Sequence, residues 1–192
     1  MPCTQTLSGI SRDCVRNAGG VRRVWLFNAA DIDTFQWDVS DPDAPHGVDI
    51  VYLKTGKASV EFEFRPGAAS LTSTETVSAE NGSRYVQNEL TMTFHRMDSA
   101  KRAALVKLQF AELAAVILDN NGEEWYLGPT DKPAIGYSAI EGDEPLMQTG
   151  GDGLTGTDWG DRNGYSIVLS SRSKDKPWPY LSAVVPAPNP YP

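Results

Sequence analysis

The segment RYVQNELTMTFHR (84–96) sets Val86, Leu90, Met92 and Phe94 on a repeating period of two. A helix would scatter these side chains around its circumference, whereas a strand collects them on one face. The pattern commits the middle of the chain to a long strand. Such a strand needs partners along its edges, or some device that shields them. The same alternation recurs in ASVEFEFR (58–65), where Val60, Phe62 and Phe64 alternate with Glu61 and Glu63. IDTFQWDV (32–39) places Phe35 and Trp37 on one face. VRRVWLFN (21–28), VDIVYLK (48–54), SLTSTETVS (70–78), NGYSIVLSSRS (163–173) and LSAVV (181–185) extend the series.

Two connections are predicted as hairpins. Thr55-Gly56-Lys57 reads as a short loop joining 48–54 to 58–65. AAVILDNNGEEWYLG (114–128) turns at Asn121-Gly122, which supplies the positive φ angles of a tight hairpin. SDPDAPHG (40–47) reads as a loop, because its prolines and aspartates do not suit a central strand. One helix interrupts the strands. DSAKRAALVKLQFAEL (98–113) has no Gly or Pro, Asp98 or Ser99 can cap it, and Ala104, Leu108 and Ala111 give an apolar stripe. Leu105, Leu108 and Glu112 also follow helical spacing.

These elements predict a mainly β fold, with two packed antiparallel sheets forming a sandwich or open barrel and one flanking α-helix. The 192 residues suit one domain. An N-terminal extended arm covers 1–20, and a single β-rich domain covers 21–185. That domain includes the helix near 98–113 and an acidic loop region at 129–161. A Pro-rich tail, PAPNPYP, covers 186–192 and reads as an extended, polyproline-like end. The opening MPCTQTLSGISRD has neither a basic start nor an apolar stretch. It reads as lacking a signal peptide, so assembly in a reducing cytoplasm is expected. No apolar run approaches the ~20 residues that span a bilayer, and no membrane anchor is expected.

The net charge of −8 is unevenly placed. Residues 119–161 hold Asp119, Glu123, Glu124, Asp131, Glu141, Asp143, Glu144, Asp152, Asp158 and Asp161 against Lys132 alone. Residues 12–23 hold Arg12, Arg16, Arg22 and Arg23 against Asp13. An acidic chain lacks the phosphate-neutralising term behind nucleic-acid affinity. Charge separated by region can instead steer one subunit onto another, or the acidic stretch can serve simply as a solvated loop.

No motif points to catalysis, a cofactor or a metal. Gly151-Asp152-Gly153-Leu154-Thr155-Gly156 matches G-x-G-x-x-G, but no buried strand precedes it and no helix follows, so it reads as a loop. Asp161, Asn163 and Gly164 recur in calcium loops, yet that register puts Trp159 and Ser170 at the first and last ligand positions. Asn81-Gly82-Ser83 is a sequon that reads as a turn. Cys3 and Cys14 form no paired-cysteine motif, and His46 and His95 each stand alone, away from any nucleophile. Glu61 and Glu63 read as the wet side of a strand. Of the five tryptophans, Trp25, Trp37 and Trp125 read as core, while Trp159 and Trp178, in loops, are the candidates for contact surfaces. No enzyme is expected.

The order of elements resembles a known family. A Gly-rich arm with a cysteine, GISRDCVRNAGGVRRVWLFN, leads into a strand. ENGSRYVQNELTMTFHRMDSAKRAALVKL carries a long strand into an Ala/Leu-rich helix. AVILDNNGEEWYLG and DRNGYSIVLSS follow. This resembles the tail tube proteins of tailed bacteriophages and the related inner tubes of contractile injection devices. The resemblance runs from about residue 8 to residue 170.

It implies a structural virion protein of the viral tail. Such a protein self-assembles into stacked homohexameric rings whose sheets join into a hollow conduit. Its partners would be further copies of itself, other tail proteins, and DNA passing through the lumen without specific binding. Its location would be the virion tail, after assembly in the host cytoplasm. Arg16, Arg22 and Arg23 are then candidate subunit contacts toward Asp143, Glu144 and the rest of the acidic region of a neighbour, with Trp159 as a further contact. Two other readings stay open. One is a β-sandwich binding module that recognises a carbohydrate or protein through its loop tryptophans. The other is a different virion component, such as a tail terminator or decoration protein.

Overall fold

The structure is a computed structural model that describes residues 17–38, 47–78, 80, 82–130, 143–182 and 185–188. In chain order the strands are β1 (Val21–Asn28), β2 (Ile32–Trp37), β3 (Val48–Leu53), β4 (Val60–Glu63), β5 (Ala69–Val77) and β6 (Arg84–His95). The helix α1 (Ser99–Leu108) follows. Then come β7 (Leu113–Asp119), β8 (Glu124–Leu127), β9 (Met147–Leu154), β10 (Gly164–Ser173), β11 (Trp178–Pro179) and β12 (Ala187–Pro188).

The fold is mainly β, and the described residues hold one α-helix and no closed barrel. Three sheets have the orders β11-β8-β7-β1-β4, β5-β6-β10-β9 and β12-β3-β2. The five-stranded sheet is the middle layer. In β1, Val24 and Leu26 face one side, while Trp25 and Phe27 face the other. In β7, Leu113, Ala115 and Ile117 join the first side, and Ala114 and Val116 the second. The first side packs on Leu90, Met92, Ile167 and Leu169 of the four-stranded sheet, and the second on Trp37, Val48, Val51 and Leu53 of the three-stranded sheet. The expected pair of packed sheets is present, with a third small sheet closing the far face of the middle layer.

Inside the four-stranded sheet a polar ladder pins the register. Ser73 Oγ donates to Asn88 Oδ1 at 2.7 Å, Asn88 Nδ2 donates to Ser173 Oγ at 3.0 Å, and Ser173 Oγ donates to the Asp175 carbonyl at 2.6 Å. Asn88 and Ser171 are buried on a face that is apolar around Leu90, Met92, Ile167 and Leu169. A one-residue slip would leave the Asn88 amide unsatisfied, and buried polar groups are costly without partners.

Several expectations need correction. Thr55-Gly56-Lys57 is not a hairpin loop. β3 belongs to the small sheet, whereas β4 pairs antiparallel with β1, so this turn carries the chain between layers. The cause is Phe62 and Phe64, which reach the core against Phe94 only from the edge of the middle sheet, with ring centroids 5.7 and 5.5 Å away. Val60, expected on the same buried face, is 57% exposed. The loop expected at 151–156 is largely strand, since β9 pairs with β10 along its length. At the β7–β8 turn only Gly122 has a positive φ, of 94°. The loop spans 120–123, and the Asp119 carboxylate holds it by accepting the Asn121 and Glu123 amides, at 2.8 and 2.9 Å. Leu181 and Ser182 lie outside any strand, and Ala183 and Val184 fall outside the described residues.

The helix is shorter than 98–113. Asp98 caps it by accepting the Lys101 amide at 2.7 Å, as expected, and it ends at Leu108. Ala104 is exposed; Leu105 is the buried residue, with Leu108 and Ala111 half-buried beside it. The Pro-rich tail begins by docking on its own chain. β12 pairs parallel with β3, and Ser59 Oγ donates to the Pro186 carbonyl at 2.9 Å. The end of the arm is also tied down. The Asn121 side chain accepts the Ala18 amide at 2.7 Å, and Asn120 Nδ2 donates to the Gly19 carbonyl at 2.7 Å.

Leu90 is fully buried between the four-stranded and middle sheets. Leu90→Ala is expected to cost about 2–5 kcal/mol, read as a lower urea midpoint at unchanged slope. Thr72→Ala, on the exposed face of β5, should stay within about 0.5 kcal/mol.

Candidate assembly surface

The three sheets treat their edges differently. The middle sheet ends in β4, only four residues long and bearing Glu61 and Glu63, and in β11, which contains Pro179. The small sheet ends on one side in β12, which contains Pro188. Short, charged or proline-bearing edges block strand addition. The four-stranded sheet ends in β5, ASLTSTETV, and β9, MQTGGDGL. Neither strand contains proline, lysine or arginine, and each runs eight or nine residues.

The outward face of that sheet presents Thr72, Thr74, Gln87, Glu89, Thr91 and Ser170, exposed or half-buried, with Tyr85, Met147, Val168 and Arg172 among them. No described element covers it. All three strand pairings are antiparallel, so β5 and β9 run in opposite directions at the two edges. A copy rotated about an axis alongside would therefore bring its β5 antiparallel to β9.

β9 can be an edge strand despite its glycines because they allow close approach. A Cβ on Gly151 would sit 2.8 Å from the Ser166 carbonyl oxygen, and one on Gly153 would press on Tyr165 at 3.3 Å. The loop after β9 is built by one carboxylate. Asp161 Oδ2 accepts the Thr157 amide at 2.7 Å, the Asp158 amide at 2.9 Å and the Thr157 hydroxyl at 3.0 Å. Gly156 supplies a φ of +73°, and its missing Cβ leaves room for the Asp161 side chain. Arg162 closes the base on Asp152 at 2.6 Å. Asn163 ties the loop to the start of α1 by accepting the Arg96 amide (2.7 Å) and the Met97 amide (2.9 Å). Trp159 stands at the tip and is fully exposed.

The predicted contact residues meet different fates. Arg16 lies outside the described residues. Arg22 is exposed. Arg23 is already engaged in its own chain, 2.8 Å from Glu63 and 3.4 Å from Glu61. Asp143 accepts the Thr130 hydroxyl at 2.8 Å and the Lys174 amide at 2.9 Å, and Glu144 is joined through its amide to the Arg172 carbonyl. Much of the acidic region is therefore internal scaffolding. Asp119 builds a turn, Asp161 builds another, Asp152 pairs with Arg162, and burial pushes the Glu124 carboxyl up.

Trp178 is not a contact residue. It packs edge-on against Trp37, with centroids 4.9 Å apart, and Tyr180 is buried in the same core, its phenol pushed up to about 12 chiefly by burial. His46, Cys3 and Cys14 lie outside the described residues, and no cluster of three or more His, Cys, Asp or Glu converges among the described ones.

Two features escaped the sequence reading. Phe110, just past the end of α1, is 94% exposed. A groove of about 360 Å³ opens between α1 and the β1–β4 edge, over Leu26, Phe27, Phe62 and Leu108. Such a groove has no local signal, because its walls come from three separate stretches of chain.

Compared with protein-family models, curated proteins and solved structures, the chain matches none.

Hydrogen bonds from the Thr157 amide, the Asp158 amide and the Thr157 hydroxyl, in that order, hold the Asp161 carboxyl below the ordinary 3.8. A depressed carboxyl contributes order above its ordinary value and loses it as pH falls through the lowered one. Carboxyl NMR titration should place Asp161 below 3.8, and the Trp159 indole shift should move in the same low-pH window. Asp161→Asn should perturb the Trp159 signal at neutral pH.

Proposed function

We propose that this chain is a self-assembling structural subunit that forms stacked rings enclosing a hollow conduit, as a tail tube subunit does. One observation carries the reading. The four-stranded sheet has two long, proline-free edges of opposite direction and an outer face that no described element covers, while the middle sheet's edges are short, charged or closed by proline. A monomer exposing such edges risks uncontrolled pairing. Cyclic association removes both edges at once, since β9 of each copy meets β5 of the next in antiparallel register.

In this reading the sheets join into a continuous inner wall, and the Ser/Thr/Gln face with Glu89 lines the lumen. Most of that surface is hydroxyl, amide and carboxylate, with the Arg172 cation beside Gln87, so passing DNA meets little positive charge. The exposed Arg22 faces a neighbour's acidic side. Arg23 contributes less, because Glu61 and Glu63 already hold it. The chain acts as a virion tail component and carries out no chemistry.

Negative-stain electron microscopy of the concentrated protein should show rings or hollow tubes. Thr74→Lys and Thr149→Lys place charges on the two edges at exposed positions. Each should leave the circular dichroism spectrum unchanged and abolish rings. Tubes that persist in both variants, or compact monomers at every concentration and salt for the native chain, would exclude edge-joined rings. A monomer that binds an immobilised glycan, and loses that binding on Trp159→Ala, would favour the binding-module reading that the exposed indole also allows.

A further inference from the structure

Trp159 and the α1 groove are both left without a partner among the described residues, and each has what the other needs. The indole makes no packing contact that hides it, and it is 105% exposed. Its turn is nevertheless fixed by three hydrogen bonds to Asp161 and by the anchorage of Asn163. A rigid turn that presents a bare tryptophan is preorganised for docking. Tryptophan is also enriched among the residues that dominate interface energy.

The groove's apolar floor is Leu26, Phe27, Phe62, Leu108 and Leu113, with the exposed Val60 on its rim. Its volume of about 360 Å³ falls within the range of clefts that bury small ligands, about 300–1,000 Å³. Lys107 also lines it, and this ammonium makes no ion pair among the described residues. Beside Trp159 the turn carries Asp158, likewise without an ion pair among the described residues. A cation at the groove and a carboxylate next to the knob are complementary in charge.

The chain cannot satisfy itself. Asn163 fastens the turn to Arg96 and Met97, before the first turn of α1. The groove lies along Ala104, Lys107, Leu108 and Ala111, toward the other end of the helix. From Asp98 to Leu108 the helix rises about 15 Å at 1.5 Å per residue. We infer that Trp159 of one copy seats in the α1–β4 groove of a second copy, with Asp158 beside Lys107. Knob and groove are different surfaces, so the contact is head-to-tail and propagates into closed rings or stacks. This inference rests on the self-assembly reading and names a side-chain joint for it, distinct from the sheet edges.

The test uses the full chain with Cys3→Ser and Cys14→Ser as background. A Trp159→Cys chain is mixed with an Ala104→Cys chain and oxidised. Ala104 lies on the groove and is solvent-exposed, so the substitution should fold. The expected result is a disulfide-linked heterodimer that forms at least tenfold faster in the mixture than linked dimers form in either chain alone. In parallel, Trp159→Ala and Ala104→Trp, which fills the groove from the helix side, should each weaken self-association about tenfold or more in sedimentation, with circular dichroism unchanged.

Absence of the mixed cross-link overturns the inference, whatever the sedimentation shows. If rings form, vanish on Thr74→Lys and survive Trp159→Ala, the joint is wrong and the self-assembly reading stands. If the native chain is monomeric throughout and no cross-link forms, both fall. Loss of glycan binding on Trp159→Ala with unchanged oligomeric state also overturns it.

Discussion

The structure depends on β1 and β7 being apolar on both faces. VRRVWLFN offers Val24 and Leu26 to one layer and Trp25 and Phe27 to the other, and LAAVILD does the same with Leu113, Ala115 and Ile117 against Ala114 and Val116. A strand with one wet face supports a two-layer sandwich. A strand with two dry faces must be covered twice, because each exposed large apolar side chain forgoes about 1.5–3 kcal/mol of burial. The small β12-β3-β2 sheet and the Trp178–Tyr180 segment exist to cover Trp25, Phe27 and Tyr126. The chain's last described strands are thereby drawn onto the middle and small sheets, and no described element lies over the outer face of the four-stranded sheet.

The charge distribution follows the same economy. Several carboxylates that look like an acidic patch in the sequence are fixed points of turns and connections. Asp119 holds the β7–β8 loop, Asp161 holds the β9–β10 loop, and Asp143 bridges Thr130 to Lys174. A carboxylate that accepts two or three backbone amides is an anchor, and its charge is partly spent on local dipoles. What remains free to act at a distance is smaller than the count of Asp and Glu suggests, with Asp158 and Glu89 as clear examples.

The sequence was legible where a segment's own periodicity decided its structure. β1 spans the residues its pattern marks, β6 and β10 nearly so, and Asp98 caps α1 as its position predicts. It was illegible where a distant partner decided. β9 is glycine-rich and reads as a loop, yet β10 pairs with it at both ends, broken only by a register shift at Thr149, and the glycines admit Ser166 and Tyr165 at close range. The turn at 55–57 has hairpin chemistry, but Phe62 and Phe64 find their core beside Phe94, in another layer. Trp159 and Trp178 look alike as loop tryptophans. Only the position of Trp37 separates the packed one from the bare one. The Arg23 pairing with Glu61 and Glu63 was likewise invisible until β4 was placed against β1.

The edges carry the last step. Val60 and Phe62 lie at the rim of a sheet that Glu61, Glu63 and Arg23 close with charge, so that side of the molecule resists strand addition while keeping an apolar groove. The opposite arrangement holds at β5 and β9, where the backbone is open and the outward side chains are mostly polar, with Met147 an exception. One side thus offers side-chain burial without backbone pairing, and the other offers backbone pairing without side-chain burial. Backbone pairing is directional but unselective, because any strand can supply it. A tryptophan in a fitted groove is selective but leaves orientation loose. In the proposed assembly both kinds of contact are used, one for direction and one for selectivity. The groove and the open edges lie on separate surfaces, where neither can saturate the other.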